Sequence, residues 1–324
     1  MAVGTGTSGI STQFQRYFSK ELLDYIVESL QLVQFAQKAP LPAKSGSKTI
    51  RWFRFDEPST GAIETLSTEG TKPTGERALS LENVDADLVQ YGQVISITDI
   101  LQLTELFSHV EQAVKVTGQD AALHADKIVR NELGSNVTGK QTRMANGLAD
   151  YAAVGAASAA DAVVEFNDFL DCTTQLRKNN TPMIGGNYVG VVSPEVASDL
   201  MKTSGWQNAA SYSAVESLYK GEIGRLWGIR FLQTTVPFLS DGSTQHTYDA
   251  SGTVHSSFVF GQNAYGVSDV ASQSPYGPSV YVTDGASKDD PLNQKTVVGY
   301  KSFYAAKTLQ PKYYVEMYSK TNFS

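Results

Sequence analysis

Apolar residues recur along this chain with two spacings, one typical of helices and the other of strands. Residues 1–13 show neither spacing and are rich in Gly, Ser and Thr, so we expect a flexible arm there. From Leu22 to Val33 the apolar positions follow a helical period, and Ser19 stands where an N-cap belongs. The pattern therefore predicts an arm followed by a first helix that ends before Pro40.

Two strand-like runs enclose a long polar stretch. Residues 48–55 read KTIRWFRF and residues 86–98 read ADLVQYGQVISIT, with about thirty residues rich in Thr, Glu, Gly and Pro between them. We interpret this as an extended two-stranded β-hairpin. Its first strand interleaves apolar and basic residues, so apolar side chains point to both faces. Because an isolated ribbon is only marginally stable in water, we expect something outside the hairpin to cover it.

A long helical pattern begins at residue 98 or 99 and closes at Gly134. A continuous helix of this length spans roughly 50 Å and suits a spine across a flat molecule. Gly118 is a plausible break in it. Residues 138–160 have no clear period, and we expect a connection that contains a short strand.

The rest of the chain mixes the two patterns, which predicts an α+β fold. Ser158 and Asp161 have the spacing of a capping box and predict a helix that runs on to Leu176, while Ser193 and Pro194 predict the start of another helix. Strands are expected at residues 187–192, 225–235, 257–270, 279–284 and 297–319, with polar loops at 239–256 and 285–295.

Composition narrows the function classes. The formal net charge is -7, which argues against a protein that holds nucleic acid by neutralising its phosphates. Charged residues make up only 18% of the chain beside 16 tyrosines, a balance typical of large protein interfaces. Neither a secretion signal nor a membrane span is evident, so we expect a protein made and used in a cytoplasm.

Candidate chemistry is sparse. Cys172 is the single cysteine and is interpreted as a small core residue, and no zinc or other metal site is expected from the four histidines. His246 and His255 are interpreted as solvated loop residues. The glycines at positions 4, 6 and 9 match GxGxxG, but no strand precedes them, as a dinucleotide site requires. We expect no catalytic residue, no cofactor and no enzymatic activity.

The order of these elements resembles the major capsid proteins of tailed bacteriophages, the HK97-type fold. Three local stretches strengthen the resemblance: YFSKELLD at residues 17–24 with FAQK at 35–38, then YG at 91–92 leading to TD at 98–99, and then YKGEIGR at 219–225 with GIRF at 228–231. In that fold the elements are named N-arm, E-loop, peripheral domain and axial domain. The resemblance covers nearly the whole chain.

Carried onto this sequence, the resemblance implies five regions. These are an N-arm with the first helix at 1–46, the E-loop hairpin at 47–98, the peripheral domain with its spine helix at 99–157, the axial domain at 158–240, and strands shared between both domains at 241–324. The candidates for contacts between subunits are Trp52, Phe53, Arg54, Thr71, Lys72, Pro73 and Tyr91. Crosslinking through Lys72 is not expected, because no motif identifies its partner.

The implied function is self-assembly into an icosahedral shell that encloses double-stranded DNA. The implied partners are further copies in hexamers and pentamers, a separate scaffolding protein and a portal, with assembly in the host bacterial cytoplasm and a final place in the virion capsid. An encapsulin-like compartment is the first alternative. Another phage structural protein, of the tail or a decoration type, or a β-rich oligomeric enzyme are further alternatives.

Overall fold

The computed structural model describes residues 31–39, 48–55, 81–104, 109–203, 206, 222–268, 279–283 and 290–323. Within them the α-helices lie between residues 99 and 202 and strands make up most of the rest, which confirms the predicted α+β class. The predicted flexible arm and most of the first helix lie outside the described residues, and the described chain begins with a short 3-10 turn at Val33–Phe35.

A seven-stranded mixed sheet forms the centre of the molecule. Its strands are β5 Gln141–Met144, β6 Tyr188–Val192, β7 Glu222–Leu226, β8 Ile229–Gln233, β9 Phe238–Ser240, β10 Val254–Phe260 and β15 Tyr314–Ser319. Six of them lie in the order β5-β15-β10-β6-β8-β7, and β9 pairs with β10 on the same side as β6. Every residue of β6, β10 and β15 is buried, because helices cover both faces of the sheet.

The described residues include five α-helices, which pack around the sheets. They are α1 Asp99–Thr104, α2 His109–Gly134, α3 Tyr151–Ala156, α4 Asp168–Lys178 and α5 Pro194–Lys202. Helices α4 and α5 pack against one face of the central sheet, where alternate residues such as Tyr188 and Val192 point toward them. The intervening residues Val189 and Val191 point to the opposite face, where the second half of α2 packs.

Helix α2 is the predicted spine. Its 26 residues span about 39 Å, and buried positions recur every three or four residues along it. The expected break at Gly118 is wrong, because the helix runs through that residue, which lies on the buried stripe. The helix ends at Gly134 as predicted, where the ring of Phe238 stands 2.4 Å from the place a Cβ would occupy. A glycine is therefore required there for close packing.

A three-stranded antiparallel sheet covers the first half of α2. It consists of β4 Val89–Thr98, β12 Ser279–Thr283 and β13 Lys295–Tyr304, in the order β12-β13-β4. Ile97 of β4 and Val298 of β13 are buried against Val114 and Ala122 of the helix. Ten consecutive residue pairs join β4 to β13, so strands about two hundred positions apart in sequence build this sheet.

The predicted antiparallel pairing of two strands is present, but the second strand is not the expected one, and the polar stretch between the strands lies outside the described residues. Strand β2 Thr49–Phe55 pairs with β3 Leu81–Asp87, and the chain leaves this two-stranded ribbon at Leu88 to enter β4. Residues 86–98 were predicted as one strand, because the apolar alternation runs through Leu88 without a turn residue. Residues 89–98 form a separate strand because they pair with β13, which lies far along the chain and gives no local signal in this segment.

The ribbon rests on a small three-stranded sheet formed by β1 Gln37–Ala39, β11 Tyr265–Ser268 and β14 Ala306–Thr308, in the order β1-β11-β14. Strand β1 is parallel to β11, and β14 is antiparallel to it. This small sheet is the platform that positions the ribbon.

The remaining predictions are partly corrected. Ser158 and Asp161 do bond to each other, but they open only a 3-10 turn, and helix α4 begins later, at Asp168. Ser193 caps α5 with Pro194 in its first turn, as predicted. Each expected strand at 225–235, 257–270 and 297–319 is divided by tight turns into two or three shorter strands, and the predicted loop at 239–256 contains the start of β10.

Candidate assembly surface

The inner face of the ribbon is buried within its own subunit. Ile50, Trp52 and Ala86 point toward the platform and pack against Ala39 and Leu309. The indole of Trp52 lies so close over Gly266 that a Cβ added at that glycine would stand 2.7 Å from the ring. The platform therefore supplies the covering that the sequence pattern required for this face.

The outer face of the ribbon carries an exposed apolar surface. Phe53 and Phe55 are 64% and 58% exposed, and the register places Phe55 directly opposite the exposed Leu81. We call these three residues the ribbon patch. Neighbouring exposed aromatic side chains of this kind mark interaction surfaces in soluble proteins.

Polar pairs occupy the outer face nearer the body. Arg51 donates two hydrogen bonds to the carboxylate of Asp85, at 2.7 and 2.8 Å, and the Thr49 hydroxyl lies 2.7 Å from the Asp87 carboxylate. The outer face is thus divided into a polar root and an apolar distal end.

A second exposed apolar surface lies on the three-stranded sheet. Val94 of β4 and Tyr281 of β12 both pair with Gly299 of β13, so the two side chains stand on either side of a residue without one. Val94 is 68% exposed, and Tyr281 is exposed as well. We call Val94 and Tyr281 the sheet patch. Sequence reasoning missed it, because the pairing that brings these strands together has no local signature.

The predicted contact residues have different environments. Phe53 is exposed in the ribbon patch, whereas Trp52 is only 5% exposed and offers a neighbour almost no side-chain area. Arg54 is engaged inside its own subunit, donating to the Leu309 carbonyl oxygen at 2.7 Å. Tyr91 is half-buried, with its ring 4.7 Å from that of His124. Thr71, Lys72 and Pro73 lie outside the described residues.

The histidines of the predicted loops are not solvated as expected. His255 is buried in β10 with its Nδ1 3.0 Å from the Ser193 hydroxyl oxygen, and burial lowers the pKa of this imidazole. Ser193 is itself buried and caps α5, so this pair is enclosed away from any substrate. The expectation failed for His255 because the strand β10 begins earlier than its sequence pattern suggested. His246 is partly buried, with its Nδ1 3.1 Å from the carbonyl oxygen of Gly134.

A buried ion pair joins the end of the spine helix to the central sheet. Lys140 Nζ lies 2.5 Å from Glu316 Oε2 and donates to the carbonyl oxygens of Leu133 and Ser135. Burial raises the pKa of Glu316 and lowers that of Lys140, while the attraction between them opposes both changes. The pair is enclosed and has no substrate access, so its role is to hold the two elements together.

Other kinds of site find little support in the described parts of the chain. No group of three or more His, Cys, Asp or Glu residues there is arranged to hold a metal ion. Cys172 is fully buried, as predicted, and burial raises the pKa of its thiol to about 12, so it is a poor nucleophile. Among these residues no helix is long and apolar enough to span a membrane.

Solved structures with a similar fold are capsids. The capsid of Cyanophage P-SCSP1u aligns with a TM-score of 0.60 and 16% sequence identity, covering 88% of this chain and 90% of that one. The capsid of Ralstonia phage GP4 aligns at 0.58 and 13%, covering 89% and 87%. These likenesses confirm the predicted HK97-type fold.

A third structure with a similar fold is a virus-like particle. The virus-like particle from Pyrococcus furiosus aligns with a TM-score of 0.53 and 10% identity, covering 94% of this chain and 99% of that one. No curated protein sequence matches the chain.

A sequence model of one family also matches. The family is described as phage capsid protein, and its model matches residues 82–316, well over half of the chain. The matched region begins in β3 and ends within β15, so it includes the spine helix, six strands of the central sheet and the first half of β15. The chain therefore belongs to the phage capsid protein family, and it is a capsid shell protein with a structural role.

Proposed function

We propose that this capsid protein builds a closed icosahedral shell around double-stranded DNA by packing the ribbon of each subunit against a neighbouring copy. The observation that carries the proposal is the ribbon patch: one face of the ribbon is covered by its own subunit, and the other holds two exposed phenylalanines. In this proposal the ribbon is the E-loop of the fold. Phe53 and Phe55 enter the interface, while Trp52 stays in the subunit core.

The sheet patch is the proposed receiving surface on the neighbour. It lies on a different element from the ribbon patch, so contact between them joins two unlike surfaces. Contacts between unlike surfaces are heterologous and close into rings when the rotation between copies allows it. Rings of six and of five copies are the hexamers and pentamers that we propose for this shell.

The energy of one such contact is modest. Burying one large apolar side chain contributes about 1.5 to 3 kcal/mol, and the association costs offset part of that gain. A subunit that contacts several neighbours through several patches is nevertheless held firmly, because each further contact forms within an assembly that already exists. Assembly is therefore expected to be cooperative.

The other features of the proposal rest on charge and on the family. A net charge of -7 suits a container that encloses DNA without gripping it. A separate scaffolding protein, a portal, assembly in the bacterial cytoplasm and a place in the virion are proposed from the family membership. The division into a peripheral domain at 99–157, an axial domain at 158–240 and shared strands at 241–324 is proposed on the same ground.

The test replaces both exposed aromatic residues of the ribbon, as Phe53→Ser with Phe55→Ser. Both side chains point away from the platform, so we expect a folded subunit with an unchanged melting temperature that no longer forms shells. Asn83→Ser is the matched control, since Asn83 lies opposite Phe53 on the same face and is polar. Size-exclusion chromatography and negative-stain electron microscopy measure the outcome.

Shells of normal size and yield from the double variant would refute the role of the ribbon patch. Nuclease-resistant double-stranded DNA inside shells purified from cells supports a genome container, whereas an enclosed enzyme in its place would contradict it.

A further inference from the structure

Arg54 lies on the inner face of the ribbon, toward its distal end. Its Nη1 donates to the Leu309 carbonyl oxygen at 2.7 Å and to Gln310 Oε1 at 2.8 Å. Its Nη2 forms an ion pair with Glu82 of the paired strand. A single guanidinium therefore joins both strands of the ribbon to the segment that follows β14.

Arg54 attaches the distal part of the ribbon to the body, whereas apolar packing on the platform attaches the part nearer the root. The inner-face pair Ile50–Ala86 and the side chain of Trp52 are packed on the platform. One step further out, Arg54 and Glu82 replace apolar residues at the corresponding pair. Phe55 and Leu81 of the ribbon patch form the next residue pair, so the contact of Arg54 with Leu309 and Gln310 is the outermost inner-face contact among the described residues.

The packing beside Arg54 is incomplete. A cleft of about 220 Å³ lies between the ribbon and the platform, and Trp52, Arg54, Val84, Leu309 and Tyr313 contribute to its walls. The indole Nε1 of Trp52 is buried at this junction and has no hydrogen-bond partner among the residues that the structure describes. Free space beside the distal part of the ribbon means that shape complementarity alone does not fix the direction of that part relative to the body.

We propose that Arg54 is a positioning residue for assembly, which sets the direction of the ribbon by tying both of its strands to Leu309 and Gln310. The inference rests on the proposed function, in which the ribbon patch must meet a neighbour. A ribbon held in one direction meets that neighbour without a further loss of conformational freedom, whereas a ribbon free to pivot must first be ordered.

The chain offers a matched control three residues away. Arg51 lies on the same strand and also forms an ion pair, but it points to the outer face and its partner Asp85 belongs to the ribbon itself. Arg51→Met therefore removes an arginine and an ion pair from the ribbon without loosening the ribbon from the body. Arg54→Met removes the same chemistry together with the attachment.

The first measurement is the direction of the ribbon in unassembled subunits, kept dilute to prevent shell formation. Spin labels are attached through Asn83→Cys on the ribbon and Gln262→Cys on the body, both at exposed positions, while the buried Cys172 remains unlabelled. We expect a single narrow distance distribution for the parent chain and for Arg51→Met, and a clearly broadened one for Arg54→Met. Equal widths for the two arginine variants would overturn the proposal.

The second measurement is the yield of closed shells. Losing hydrogen bonds to a charged group is expected to lower the yield by about tenfold or more in Arg54→Met, with open or misshapen particles in place of shells. Arg51→Met is expected to assemble normally. Melting temperatures check that both variants fold, and normal shells from Arg54→Met would also overturn the proposal.

The two measurements separate this inference from the proposed function. If the parent chain forms no shells, the proposed function fails, yet the distance measurement in free subunits still tests the attachment of the ribbon. If shells form and the distance distribution is unaffected by Arg54→Met, the proposed function stands and the role of Arg54 is wrong.

Discussion

Two ion pairs of this chain differ in how much water surrounds them. The side chains of Lys140 and Glu316 are almost completely buried, whereas Lys307 and Glu132 form a partly exposed pair at 3.3 Å. Removing one partner of a buried pair leaves an uncompensated charge inside the protein, while an exposed charge is still solvated by water. The same substitution is therefore expected to have very different costs at the two sites.

Lys140→Met is expected to lower the free energy of unfolding by about 3 to 5 kcal/mol, because Glu316 remains buried without its partner. Lys307→Met is the control and is expected to cost about 1 kcal/mol or less. Urea unfolding of the free subunit followed by circular dichroism measures both. Similar costs for the two variants would contradict the account of the buried pair.

The double variant Lys140→Met with Glu316→Leu gives a further check. It removes both charges, so it is expected to be less destabilised than Lys140→Met alone. A double variant that is less stable than either single one would show that packing at this site, and not the unpaired charge, sets the cost.

At the scale of elements, one carboxylate joins the N-terminal segment to the spine helix. Asp126 of α2 accepts hydrogen bonds from the backbone N–H groups of Gln31, Leu32 and Val33, and the hydroxyl of Tyr265 donates to the carbonyl oxygen of Leu32. Burial raises the pKa of Asp126 to about 6, although these backbone hydrogen bonds act in the opposite direction. Tyr265 and Tyr304 are the titratable groups that interact with it.

A carboxyl whose pKa is raised in the native state binds its proton more tightly there than in the unfolded chain. Its contribution to stability is therefore largest below about pH 4 and is lost as the pH rises through about 6. For Asp126 the free energy of unfolding is expected to fall by about 3 kcal/mol over this range. Asp126→Asn is expected to lose this pH dependence. Urea unfolding at pH 4.5 and pH 7.5 measures it in both chains.

The buried His255 acts in the opposite direction, because its lowered pKa favours stability at higher pH, and it does so equally in both chains. Comparing the two chains at each pH therefore isolates Asp126. The same pH dependence in Asp126→Asn and in the parent chain would contradict its assignment to this residue.

Elements defined by local pattern were predictable from the sequence. Strand β2, the spine helix and the capped start of α5 follow from alternation, helical period and the Ser-Pro pair. Elements defined by distant pairing were not. The division between β3 and β4 depends on β13, and Gly118 stays helical because the sheet packed on α2 outweighs the low helix propensity of one glycine.

The exposed apolar surfaces could be predicted only in part. Phe53, one of the contact candidates that the resemblance implies, is exposed, and its contact with a neighbour stays a prediction. Leu81 and the sheet patch were missed, because only the register brings Leu81 opposite Phe55 and Val94 beside Tyr281. Arg54 and Trp52 are predicted from the resemblance to contact a neighbouring subunit. The sequence gives no sign of the platform, which both side chains contact within their own subunit.

At the scale of the whole molecule, copies that share a net charge of -7 repel one another while their apolar patches attract. Screening shortens the range of the repulsion, from about 10 Å at 0.1 M salt to about 3 Å at 1 M, and it leaves the apolar contacts intact. The balance between the two forces therefore favours shells as the salt concentration rises.

We expect the subunit concentration needed for assembly to fall when sodium chloride is raised from about 0.05 M to about 0.5 M. Light scattering during titration of the purified subunit measures this threshold, and electron microscopy confirms that the scattering particles are shells. The variant with serine at positions 53 and 55 is the control, and it is expected to stay unassembled at both salt concentrations. A threshold that rises with salt would show that attraction between unlike charges dominates the interface.

Each of the three larger sheets contains one of the last three described strands in the sequence. Strand β13 closes the sheet over the spine helix, β14 is one edge of the platform, and β15 lies inside the central sheet, all within residues 295–319. A nascent chain on the ribosome cannot finish any of these sheets until those residues have emerged. Chains that end before residue 295 would lack the β14 edge of the platform under the ribbon, so in the proposed assembly they could not be incorporated into a growing shell.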